Sequence, residues 1–199
     1  MISPARMIAM RNAIVDGDSA KVRLLLKAGV PAAGEVDGFP FVWLAVSLCK
    51  EEIFDLLLSN GALITTPRLL EWAVDGGGGR LRPSTAIVQR ILSELSHEKD
   101  TLNRCLRFAS VSGSVDVVRL LIQQGADPNG RDDRDNRFPL ANAVRYGQGE
   151  IVKVLLDAGA DPTQPVWDED DVGDLTGTTS TLVDLAIRQG YAEIARLVG

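Results

Sequence analysis

The residues with chemistry to offer are few and scattered. His97 is the only histidine, and Cys49 and Cys105 are the only cysteines. A nucleophile–histidine–acid set would have to join His97 to Cys105, Ser110 or Ser112, and no spacing among them favours that over a surface histidine. A single histidine without a Cys-x-x-Cys pair does not meet the usual metal-ligand spacings. The run Asp75-Gly76-Gly77-Gly78-Gly79-Arg80-Leu81-Arg82-Pro83-Ser84 has the composition of a phosphate cradle, but no predicted strand precedes it and no Gly-Lys-Ser/Thr ending follows. The acidic run Asp168-Glu169-Asp170-Asp171-Val172-Gly173-Asp174 places Val172 where a calcium loop needs an oxygen ligand, and Thr179 stands at its glutamate position. The expectation is therefore no catalytic residues, no metal ligands and no cofactor.

The elements that would carry any site are more legible. Gly113-Ser114-Val115-Asp116-Val117-Val118-Arg119-Leu120-Leu121-Ile122-Gln123-Gln124-Gly125 reads as a short amphipathic helix. Val117, Val118, Leu120, Leu121 and Ile122 form its apolar stripe, and a glycine stands at each end. Similar phrases run from Gly17 to Gly29, Glu52 to Gly61, Gly147 to Gly159 and Gly190 to Val198. The closing glycines Gly29, Gly61, Gly125 and Gly159 are 32, 64 and 34 residues apart, a period near 33 with one copy altered.

Before these phrases stands a second recurring motif. Its best copy is Phe138-Pro139-Leu140-Ala141-Asn142-Ala143. Weaker ones are Pro40-Phe41-Val42-Trp43-Leu44-Ala45, Arg104-Cys105-Leu106-Arg107-Phe108-Ala109 and Thr181-Leu182-Val183-Asp184-Leu185-Ala186. An alanine recurs at its end: Ala13, Ala45, Ala73, Ala109, Ala143 and Ala186. In period and motif the chain resembles the ankyrin-repeat family, whose signature is Thr-Pro-Leu-His-x-Ala. The resemblance covers nearly the whole chain. Two departures stand in the second repeat, where Trp43 replaces the usual histidine and Cys49 the inter-helix glycine.

The resemblance implies an all-α fold, an ankyrin-repeat solenoid of paired antiparallel helices with projecting hairpin loops. It implies one domain over 1–199 of about six repeats, near 3–34, 35–64, 65–98, 99–131, 132–163 and 176–199. Insertions at 75–84 and 163–178 are expected as a flexible glycine segment and as a solvated or contact loop. The last repeat ends at Gly199 short of a full second helix, which reads either as a terminal cap or as a segment of a larger protein.

Composition narrows the partners. The net charge is −6, and its excess lies in residues 166–199, with 2 basic against 7 acidic side chains. Without a basic face, nucleic acid is not expected as a partner. Two cysteines in separate repeats are expected to stay unpaired, at about 10 Å per helix layer, which suits a reducing compartment. The start, Met1–Met7, lacks the apolar core of a secretion signal, and no apolar run reaches membrane length. A cytoplasmic monomer without membrane contact is the expectation.

In ankyrin-like stacks the hairpin fingers and first helices line a concave groove that holds partners. Carried over by position, the groove residues are Phe39, Ser47, Leu48 and Asp75, then Asn103, Val111 and Ser112. Next come Arg134, Arg137, Arg145 and Tyr146, and finally Arg188 and Gln189, with Trp167 on the later insertion. Arginine and tyrosine are enriched at binding hot spots. The implied function is a non-enzymatic protein–protein interaction module binding a partner protein or peptide. The alternative is a small-molecule or unusual enzymatic site where the 75–84 and 163–178 loops close over the groove.

Overall fold

The structure, a computed structural model, describes residues 3–66, 68–79, 81–131, 137–169 and 175–199. Its chain contacts divide into two compact units, residues 1–96 and 97–199.

The first unit contains α1 (Pro4–Asp16), α2 (Ser19–Lys27), β1 (Glu35–Val36), β2 (Phe39–Pro40), α3 (Phe41–Ser47), α4 (Glu51–Ser59), α5 (Arg68–Gly79) and α6 (Thr85–Glu94). Helices α1, α3 and α5 pack side by side in one layer. Each also packs on the helix that follows it, so α2, α4 and α6 form a second layer. Between the layers lie Met10, Ile14, Phe41, Phe54, Leu57, Leu70 and Ile91, all at 0–1% exposure. At about 1.5–3 kcal/mol per buried large apolar side chain, this stripe drives helices too short to stand alone in water. Asp37 and Gly38, with φ of 55° and 78°, make the tight turn that pairs β1 with β2.

The second unit contains α7 (Lys99–Ser112), α8 (Val115–Gln123), α9 (Pro139–Arg145), α10 (Gly149–Asp157), β3 (Val166–Glu169), β4 (Leu175–Ser180), α11 (Leu182–Arg188) and α12 (Ala192–Val198). It repeats the plan, with α7, α9 and α11 in one layer and α8, α10 and α12 in the other. The recurring alanines explain themselves here. Ala13, Ala45, Ala109, Ala143 and Ala186 are at 0% exposure and Ala73 at 2%, at the packed heart of each first helix, where a larger side chain would push the layers apart.

Two local expectations are modified. The glycine segment is not wholly loop, since α5 runs on through Gly79. Buried Leu69, Leu70, Ala73 and Val74 hold α5 in place although each helical glycine costs about 1 kcal/mol. Within the later insertion β3 and β4 pair antiparallel, Val166 opposite Ser180 and Trp167 opposite Thr179. Ser3 and Ser114 occupy N-cap positions, but neither hydroxyl makes the capping bond.

Candidate binding faces

Five of the six first helices present their last turn beside a left-handed residue. Gly17, Cys49, Gly113, Gly147 and Gly190, each four residues after the recurring alanine, have φ between 50° and 79°. Cys49 thus holds the glycine's place with the glycine's backbone, as its position in the second repeat implied. Its thiol donates to the Arg82 carbonyl at 3.4 Å, and burial pushes its pKa up.

In the first unit, Phe39 on β2 is 47% exposed and stacks on Trp43 with centroids 4.9 Å apart. Leu48 and Asp75 are half-buried at the ends of α3 and α5. Ser47 differs. It is 8% exposed, and its hydroxyl turns back to the Trp43 carbonyl at 2.9 Å, so it presents nothing to a partner. Trp43 in turn meets Trp72 edge to face at 5.1 Å.

In the second unit, Asn103 also works inward. Its Oδ1 accepts the Asp127 N–H at 2.8 Å and pins the turn that follows α8. The Val111 carbonyl accepts from Gln148 Nε2 at 3.1 Å, and Ser112 donates to the Ala109 carbonyl at 3.1 Å. Outward-facing groups gather at the ends of the first helices. Tyr146 is 50% exposed beside half-buried Arg145 at the end of α9. Exposed Arg188 donates to Ser180 Oγ at 2.8 Å, with exposed Gln189 next to it. Arg137 and Trp167 are half-buried. Arg134, and most of the finger around it, lie outside the described residues.

Four exposed or half-exposed aromatics, Trp43, Trp72, Phe108 and Tyr191, were not among the sequence candidates. Trp72 and Phe108 each stand immediately before the recurring alanine, and Phe108 is 42% exposed. The signal for both was present, because that position is the variable one of the six-residue motif.

Chemistry beyond binding is thin. Among the described residues no group of three or more His, Cys, Asp or Glu side chains gathers to hold a metal. A groove of about 310 Å³ lies between α4 and α6, lined by Glu51, Phe54, Asp55, Ile87, Arg90 and others. It is built from second helices and their flanks, and neither insertion residue range 75–84 nor 163–178 lines it. No helix among the described residues is long and apolar enough to cross a membrane.

Known proteins share these features. Residues 80–166 match the family model described as ankyrin repeats in three copies. Palmitoyltransferase AKR1 of Lachancea kluyveri is 37% identical over 87 residues, which are 43% of this chain and 12% of that protein. An ankyrin repeat and KH domain-containing protein of Caenorhabditis briggsae is 29% identical over 166 residues, 81% of this chain and 5% of that protein. The chain therefore spans a small fraction of these relatives. The crystal structure of the human ASB11 ankyrin repeat domain superposes with a TM-score of 0.73 at 20% identity, covering 99% of this chain and 82% of that one. With the period, the paired helices and the left-handed residue four positions after five of the six buried alanines in agreement with these matches, residues 80–166 carry ankyrin repeats and the chain has the ankyrin-repeat fold.

Proposed function

We propose that the chain is a non-enzymatic binding module, a cytoplasmic monomer that holds a partner protein or peptide against the exposed ends of its first helices. The observation that carries this reading is the contrast within the second unit. The recurring positions are buried, while Phe108 and Tyr146, large and 42% and 50% exposed, stand out on the packed helices α7 and α9. Arg145 lies next to Tyr146, and that pair has the composition of a hot spot. Ankyrin-repeat folds in general serve as protein-binding surfaces, which supports the class of activity. The test is affinity for an isolated partner. Arg145→Glu combined with Tyr146→Ala is expected to weaken binding at least about tenfold. Unchanged affinity in a normally folded variant refutes the placement.

A further inference from the structure

Phe39, Trp43 and Trp72 form a continuous aromatic strip on the first unit. Phe39 and Trp43 stack at 4.9 Å with planes 29° apart, and Trp43 meets Trp72 at 5.1 Å and 72°. Three elements, β2, α3 and α5, each contribute one ring. Aromatics make up only 5% of the chain, so three in one strip is a concentration. The core does not need them, because Phe41, Ala45, Leu70 and Ala73 close it at 0–2% exposure. Phe39 remains 47% exposed.

The strip carries one carboxylate on its α5 side, Asp75. Asp75 lies three residues after Trp72 on α5, which places the two side by side on the helix surface. Asp37 sits at the turn two residues before Phe39, while Glu35 pairs with Pro40 and lies on the other face of the ribbon from Phe39. Arg11 holds Asp37 at 2.9 Å, while Asp75 makes no ion pair among the described residues. Arg68, a turn before Trp72, is the basic neighbour along α5, set against Glu71 and Asp75. The ring faces carry the negative side of the aromatic quadrupole, so rings and carboxylates attract the same kind of group.

We propose that this strip docks a short basic segment of a partner protein, a lysine or arginine head lying against the rings and Asp75 and an apolar side chain against Phe39. This rests on the binding-module reading and adds a partner chemistry at a second face. An acidic peptide meets like charge there.

The test is selection of a random dodecapeptide library on the full chain, followed by titration of the enriched peptides. The expected result is net positive peptides whose affinity falls about tenfold with Phe39→Ala or Asp75→Lys and is unmoved by Arg145→Glu/Tyr146→Ala. Phe39 is exposed enough that its alanine variant is expected to melt with the parent, which separates lost binding from lost folding. Enrichment of acidic or neutral peptides, indifference to both substitutions, or no enrichment overturns the proposal. Peptides that respond only to Arg145→Glu/Tyr146→Ala overturn it while leaving the module reading standing. If neither face retains a peptide or partner, both readings fall.

Discussion

The side chain of Gln148 lies directly over Gly113. Its Nε2 donates to the Val111 carbonyl at 3.1 Å, and a Cβ added to Gly113 would sit 2.8 Å from its Oε1. The glycine thus answers two demands, a φ of 78° and the space occupied by the next repeat's amide. Gly125, with φ of 94°, meets only the first, since nothing lies within 4 Å of its would-be Cβ. Left-handed backbone costs a substituted residue about 1–2 kcal/mol, and a displaced hydrogen bond about 1 kcal/mol more. Urea unfolding is expected to find Gly113→Ala worse than Gly125→Ala by about 1 kcal/mol. In a Gln148→Ala background that difference is expected to vanish. If it persists, Gln148 is not what the glycine accommodates.

Cys49 should be improvable. With φ of 50° it holds a non-glycine residue where four equivalent positions have glycine. Cys49→Gly removes the left-handed strain and is expected to raise stability by about 1 kcal/mol, less whatever the half-buried sulfur contributes. Cys49→Ala keeps the strain and loses the sulfur, so it is expected to be neutral or worse. Equal urea midpoints for the two variants would show that the backbone at this position carries no strain.

The same thiol is expected to be slow. Burial, the largest influence on it, raises its pKa above the ordinary 9.0, which leaves less thiolate at neutral pH than a free cysteine carries. Cys105 is at 0% exposure. Iodoacetamide at pH 7.5 is expected to label the folded protein at least about tenfold more slowly than glutathione, and both cysteines are expected to label in urea. Rapid modification of Cys49 in the folded chain would contradict its placement against Arg82.

The scaffold was legible because it is written in repeated, buried positions. Ala13, Ala45, Ala73, Ala109, Ala143 and Ala186 could be aligned by eye, and all are core. The faces were less legible, because their residues are the ones that differ between repeats. Ser47 and Asn103 occupy exposed positions by analogy, yet their short polar side chains found backbone partners within reach and turned inward. Trp43 read as drift from a histidine, and only the packing of α3 on α5 showed that it meets Trp72. The β3–β4 pairing was obscured by a run of acidic residues with weak strand preference.

Acid should weaken the two units through different bonds. Arg23 donates to Glu52 at 2.7 Å, joining α2 to α4, and holds the Glu52 pKa below its ordinary 4.5. In the second unit the Thr163 hydroxyl and N–H donate to Asp161 at 2.7 and 2.8 Å and hold its pKa below 3.8. A carboxyl depressed on folding contributes stability that is fully present above its unfolded value and is lost as pH falls through the folded one. Melting temperature is therefore expected to fall below about pH 4.5 for the Glu52 contribution and below about 3.8 for that of Asp161. Both groups are fully exposed, so each effect is small. They are distinguishable by salt. The Arg23 part of the Glu52 contribution is an ion pair and is expected to be screened in 1 M sodium chloride, where the screening length is about 3 Å, while the part from the neutral Ser19 side chain persists. The Asp161 contribution is made mainly of hydrogen bonds from neutral donors and is expected to persist. Glu52→Gln should flatten the acid limb at low salt and flatten it less at high salt. An acid limb that is parallel for Glu52→Gln and the parent at low salt would mean that the Arg23 contact adds nothing in solution.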